Sequence, residues 1–188
     1  MFISAEEHTI KFNTWKTERE LAHALASCDA GSIVLGDDVE DAREFYSATA
    51  YLKWPKTNEG HFGVGICSES HGLMPHLLMR SNTNLLVFGL NSEAVGISLV
   101  ERRQCFRMGL DALFHSFIQL KEQKLILVLH EIGVVAITED GSELWRYSKD
   151  VIVDFTVEQS VISLNFMDSP PVSLELASGH VIGTSPRS

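Results

Sequence analysis

The pattern of apolar and polar positions changes character near residue 70. Before that point one helical stretch is mixed with strand-like ones. "TERELAHALASC" opens on Thr17 and has Glu20 three positions on. That is capping-box spacing, in which the Thr side chain accepts a bond from a free helix N–H and the Glu bonds back. Leu21, Ala24, Leu25 and Cys28 then fall on one helical face. The pattern predicts a helix inside residues 17–29 and a short buried strand at "SIVL", Ser32 to Leu35. Phe45, Ser47, Thr49 and Tyr51 alternate with Tyr46, Ala48, Ala50 and Leu52, and this aromatic and Thr content predicts a strand. "PKTNEG" turns the chain and "HFGVGIC" (His61 to Cys67) returns it, so the segment Phe45 to Cys67 reads as a hairpin.

From about residue 74 to 183 the pattern is almost purely β, and it repeats. "LLVFGLNSEAVGIS" (Leu85 to Ser98) aligns without a gap on "LILVLHEIGVVAIT" (Leu125 to Thr138), 40 residues later. A third unit, "VISLNFMDSPPVSLEL" (Val161 to Leu176), follows at a shift of 36 in its first strand and 37 in its second. Similarity at a fixed period of this size marks a repeated supersecondary unit. The middle unit resolves into four short strands: "FIQL" (Phe117 to Leu120), "LILVLHE" (Leu125 to Glu131), "GVVAIT" (Gly133 to Thr138) and "ELWRYS" (Glu143 to Ser148). The Asp140-Gly141 pair supplies the left-handed backbone of a tight hairpin turn. Four antiparallel strands in about 40 residues is the size of one propeller blade.

Within the middle unit, Gly133, Ala136, Gly141 and Trp145 run in the order Gly, apolar, Ala, apolar, Gly-turn, Trp. The stretch from 133 to 145 resembles the repeat of quinoprotein-type β-propellers. The resemblance implies that Trp145 fills space between sheets; it implies neither the quinone nor its chemistry. Closed propellers need about four to eight blades. The expected fold is therefore α+β and mainly β: an antiparallel meander of three propeller-blade-like four-stranded units with a small N-terminal α/β part. Residues 1–70 form the N-terminal segment and residues 71–188 the β-repeat region, with units at about 76–108, 117–148 and 151–183, in one compact domain.

Apolar residues make up 45% and charged residues 21%, ordinary for a chain that buries a real core. The net charge of −10 repels phosphate backbones, so nucleic acid is not an expected partner. The one basic cluster, Arg102, Arg103 and Arg107, has Glu101 and Asp111 close by and reads as a solvated strand end. Three scattered cysteines, Cys28, Cys67 and Cys105, argue against a disulfide framework and for a reducing compartment. The first residues lack the basic and apolar regions of a secretory signal, and "LILVL" is too short to span a bilayer, so a cytoplasmic, soluble protein is expected.

No stretch carries a catalytic or cofactor signature, and no cofactor is expected. The densest polar cluster runs from His61 to His76 and contains Cys67, Glu69 and His71. Cys67, His71 and His76 have zinc-ligand chemistry, but their spacings of four and five match no familiar ligand pattern. Gly60, Gly63 and Gly65 lack the Lys-Ser/Thr of a phosphate loop and read instead as small residues that allow close packing or a bulge. Glu20 and His23 form an isolated Glu-x-x-His, and His130-Glu131 ends a core strand, where polar residues are expected.

These features point to a non-catalytic binding protein: an acidic adaptor or inhibitor, in the manner of an immunity protein, of a basic protein partner. Asp37, Asp38, Glu40 and Asp41, which follow the "SIVL" strand together, are the candidate steering charges. Trp54, beside Pro55 and a turn, is the candidate contact aromatic. The alternative is a metal-dependent hydrolase built on the His61 to His76 segment.

Overall fold

The computed structural model describes residues 2–5, 8–36, 42–52, 60–69, 74–80 and 83–184. The fold is α+β and mainly β, with one short helix among the described residues. Contacts group the chain into two compact units, Met1–Asn91 with Val95–Phe106 and Ser92–Ala94 with Arg107–Ser188. Among the described residues no helix is long and apolar enough to cross a membrane.

The N-terminal segment is a five-stranded sheet with one helix. Its strands are β1 (Phe2–Ala5), β2 (His8–Trp15), β3 (Ser32–Gly36), β4 (Glu44–Leu52) and β5 (Gly60–Ser68), and the helix is α1 (Glu18–Ala26). The sheet order is β1-β2-β4-β5-β3. The expected hairpin is present, with Phe45 opposite Cys67 in the antiparallel β4–β5 ladder. β3 joins the other side of β5 in parallel, a pairing that needs a crossover. The connection from β3 to β5 carries β4, and α1 lies in the connection from β2 to β3.

The helix begins where the sequence places it. Thr17 caps it, its hydroxyl accepting from the Glu20 N–H at 3.2 Å. The Glu20 carboxylate reaches one residue further back than the usual box and accepts from the Lys16 N–H at 2.8 Å. Leu21 and Leu25 are the buried stripe. They settle on β5 because Gly65 has no side chain: a Cβ there would lie 2.7 Å from Leu25 Cδ1. Gly63 and Gly65 therefore make room for the helix, the close packing that was one of the two roles expected of them. The opposite face of the sheet, with Ile10, Tyr46, Ala48, Phe62, Val64 and Ile66, joins Leu86, Phe88, Val95 and Ile97 in one core.

The β-repeat region forms three four-stranded sheets. The first contains β6 (His76–Arg80), β7 (Leu85–Leu90), β8 (Glu93–Ser98) and β9 (Arg103–Gly109). The second contains β10 (Phe114–Leu120), β11 (Leu125–His130), β12 (Gly133–Thr138) and β13 (Glu143–Ser148). The third contains β14 (Ile152–Glu158), β15 (Val161–Phe166), β16 (Val172–Glu175) and β17 (Val181–Thr184). Each sheet keeps its strands in chain order, a blade-like meander.

The repeat is written in backbone bonds as well as in sequence. Leu110 N–H donates to Ser92 O at 2.7 Å and, about 40 residues on, Lys149 N–H donates to Ile132 O at 2.9 Å. Asn84 and Lys124, the residues before β7 and β11, both take positive φ, 51° and 55°. At the β12–β13 hairpin Gly141 has φ +90°, the conformation for which a glycine was expected there. Arg103 and Arg107 pair with Glu101 and Glu93 at 2.7 and 2.5 Å, the solvated strand end read from the sequence.

The second and third sheets share a core of Leu127, Leu129, Val134, Ala136 and Trp145 with Ile162, Leu164, Phe166, Val172 and Leu174. Trp145 is its large aromatic, and its indole N–H donates to Leu176 O at 2.8 Å. β11 is buried along its whole length, whereas β15 alternates between buried and half-buried positions.

Candidate functional site

β11 stays buried to its last residue, His130, which meets a polar corner. In the ladders His130 stands opposite Phe114 on one side and Gly133 on the other, and Gly133 stands opposite Ser148. One cross-strand row thus runs Phe114, His130, Gly133, Ser148. His130 is 1% exposed, and neither ring nitrogen has a hydrogen-bond partner among the described residues. Burial pushes the imidazole below its usual value; the nearby Asp111 carboxylate pulls it up and Arg146 pushes it down.

Asp111 lies in the connection between β9 and β10. Its carboxylate accepts from the Ser148 hydroxyl and forms an ion pair with Arg146 at 2.7 Å. Those bonds hold it below the usual carboxylate range, the Ser148 hydroxyl contributing most. Arg146 is occupied along its whole fork: it also donates to Glu143 at 2.8 Å and to Gly109 O at 3.0 Å. This network fastens the β9–β10 connection to β13.

Beside the row, the turn after β11 meets β14, where Ile152 N–H donates to Glu131 O at 2.8 Å. A cleft of about 120 Å³ opens there. Its polar wall is His115, His130, Glu131 and Asp154; its apolar wall is Leu129, Ile152, Val153 and Phe155. His130 is buried with both ring nitrogens closed off from solvent, and His115, Glu131 and Asp154 are exposed. No Lys or Arg is among these lining residues.

Two bulges shape the cleft. The β10–β11 register shifts between Phe114 and Ser116, which makes His115 the extra residue. The β14–β15 register shifts between Ile152 and Asp154, which makes Val153 the extra one. A bulge bends its strand and re-aims its side chains, and bulges concentrate next to functional sites. Val153 is 58% exposed, a large apolar side chain turned to solvent by this irregularity.

The residues singled out from sequence are placed elsewhere or not described. Asp37, Asp38, Glu40, Asp41, Trp54 and His71 lie outside the described residues. Cys67 is buried on β5, next to the Leu21 and Leu25 stripe, and His76 is exposed at the start of β6. Among the described residues no group of three or more His, Cys, Asp or Glu could hold a metal ion.

His130 and Glu131 read from sequence only as a polar strand end. The repeat contains the sharper signal. A shift of 40 puts Leu90 on His130, and a shift of 36 puts Phe166 there. An ionisable group stands at a position that is apolar in both other units and buried in all three.

No protein-family model matches the chain, and no curated protein matches it. In fold it is similar to Kuenenia stuttgartiensis hydrazine synthase at 10% identity and TM-score 0.50, over 81% of this chain and 47% of that one. It is also similar to the computationally designed Ika8 protein, at 9% identity and TM-score 0.50, over 98% of this chain and 60% of that one. BamB from Moraxella catarrhalis matches at 8% identity and TM-score 0.44, over 98% of this chain and 52% of that one. The chain spans between 47% and 60% of the length of these structures. Hydrazine synthase is of propeller type, so the likeness agrees with blade-like sheets; at such identities it concerns the fold alone.

Proposed function

We propose that the chain is a non-catalytic binding protein whose partner is a basic protein. The observation that carries this reading is the cleft between β11 and β14, which is lined by Glu131 and Asp154 with no Lys or Arg among its lining residues. Such a wall attracts positive charge. The net charge of −10 acts at longer range, raising encounter rates with basic surfaces and suppressing acidic ones. Asp37, Asp38, Glu40 and Asp41 are the proposed steering charges, and Trp54 the proposed aromatic contact. The likeness of residues 133–145 to quinoprotein-type repeats is taken as one of packing: Trp145 occupies the space between sheets, and no quinone chemistry is assigned.

The test is kinetic. Partners recovered from the native host's lysate are measured for association rate across ionic strength, against wild type and a variant with Asp37, Asp38, Glu40 and Asp41 reversed to Lys. Exposed charges are screened within about 8–10 Å at physiological salt. The rate falls as salt rises and falls again on charge reversal. A rate indifferent to both overturns the reading.

A further inference from the structure

We propose that the free edge of β3 is a docking edge for an extended, basic segment of the partner, which adds to the five-stranded sheet as one more strand. This rests on the reading of the chain as a binder of a basic protein, and it names how that partner is held.

The backbone comes first. β3 ends the sheet order, with β5 as its one neighbour. Gly63 N–H donates to Gly31 O at 3.0 Å, and the register pairs Ser32 with Gly63 and Val34 with Gly65. In a strand the N–H and C=O of one residue point to the same side, and successive residues alternate. Gly31, Ile33 and Leu35 therefore bond toward β5, and Ser32 and Val34 turn their N–H and C=O groups to the open side. Among the described residues no backbone bond reaches Ser32 or Val34 from that side. A segment laid along β3 meets a row of unpaired backbone groups, which is what strand addition requires.

The side chains agree. Native sheet edges are blocked by charges, prolines, bulges or covering elements. Of the edge strands whose side chains are described, β6, β9, β13 and β14 carry Arg, Glu or Asp, and β10 and β17 carry register shifts. β3 has neither: it reads Ser, Ile, Val, Leu, Gly, and its register with β5 is unbroken. Val34, in its middle, is 54% exposed. It lies beside Gly65 on the face that α1 packs against, while Ile33 and Leu35 join the core on the other face. An apolar side chain on the added strand covers Val34.

Charge then selects the occupant. Asp37 and Asp38 follow Gly36 directly in the chain. Consecutive Cα atoms are about 3.8 Å apart, so covalent connection alone keeps acid at that end of the edge. Asp29, three residues before Ser32, is exposed near the other end, its Oδ1 accepting from the His61 N–H at 2.6 Å. A second copy pairing antiparallel through β3 would bring Asp29 of one copy toward Asp37 and Asp38 of the other, and facing like charges are destabilising. A segment with Lys or Arg at its ends meets attraction at both.

The experiment uses the full chain and three probes: a capped octapeptide of alternating Lys and Val, the same peptide methylated at its two central backbone nitrogens, and a capped octapeptide of alternating Glu and Val. Backbone amide NMR and calorimetry read binding to wild type, Val34→Pro and Val34→Lys. The Val34 N–H takes no part in the β5 ladder, so Pro removes an outward donor and leaves that ladder whole. Lys keeps the donor and blocks the edge by charge. The Lys-Val peptide binds wild type saturably, shifts the Ser32 and Val34 amides and slows their hydrogen exchange. Its affinity falls about tenfold or more on methylation, on exchange of Lys for Glu, and in both variants. Equal binding of the methylated or the Glu peptide, binding that leaves the β3 amides unmoved, or no binding overturns the proposal. So does a wild-type dimer in sedimentation that Val34→Pro dissolves, because the edge then belongs to a second copy. If the peptide fails while the recovered partner's rate still falls with salt and with charge reversal, the wider reading stands and the edge does not. Failure of the wider reading looks different: the Lys-Val peptide adds to β3, but the recovered partner is not basic and associates with Val34→Pro as it does with wild type.

Discussion

His130 and Gly133 face each other at the end of the β11–β12 hairpin, and a Cβ on Gly133 would stand 2.9 Å from the His130 ring carbon Cε1. It would come closer still to the backbone of β13, at Tyr147 O and at Ser148 Cα, which cannot swing aside as a side chain can. Gly133 therefore leaves no room for a side chain between the imidazole and the β13 backbone. Gly133→Ala overpacks this row and is expected to cost about 1–3 kcal/mol. The denaturant midpoint checks it; an unchanged midpoint would mean that the row is loosely packed.

Replacing His130 by Leu removes two buried nitrogens that lack hydrogen bonds and restores the residue type of Leu90. An unsatisfied buried polar group costs about 1–3 kcal/mol. The variant should be as stable as wild type or more stable, by up to about that amount. Chemical denaturation measures it. A clear loss of stability would mean that the ring serves the fold.

The pH dependence follows from the same burial. The folded-state pKa of His130 is lowered from 6.5, so the unfolded chain takes up a proton that the folded chain resists. The group's contribution is fully present above about pH 6.5 and is lost as pH falls through the lowered value. Asp111 and Arg146 are the charges that act on the ring, in opposite directions, and His115, Glu131 and Asp154 line the same cleft. Comparing wild type with His130→Leu isolates the ring. Wild-type stability should decline more steeply than the variant's from pH 7 to pH 5. Parallel curves would contradict the assignment.

Trp145 anchors the core between the second and third sheets. It is buried and donates to Leu176 O. Trp145→Ala should cost about 3–5 kcal/mol, the range for deleting a large buried aromatic. Trp145→Phe keeps much of the ring volume but leaves the Leu176 carbonyl without its donor, and should cost less than the alanine change. A midpoint unmoved by the alanine change would show that the side chain is not core.

Much of the fold is legible in the chain because its signals are local. The Thr17–Glu20 spacing marks α1, and Asp140-Gly141 marks the turn between β12 and β13. The continuous runs "LLVFGL" and "LILVL" form strands buried throughout, whereas the alternation in "VISLNF" gives a strand with one half-buried face. What is less legible is non-local. The parallel pairing of β3 with β5 and the addition of β2 beside β4 join residues far apart in sequence, and no periodicity within a strand names its neighbour. The cleft is less legible still. Its residues come from three strands, and the bulges at His115 and Val153 leave no mark in composition. Only the repeat register, with His130 where its counterparts are Leu90 and Phe166, carries a sign of it.

The most direct measurement is the association rate of a partner recovered from the native host's lysate, taken at low and high ionic strength with wild type and with the variant in which Asp37, Asp38, Glu40 and Asp41 are reversed to Lys. The account predicts a rate that falls as salt rises and falls again on charge reversal. A rate indifferent to both would contradict it.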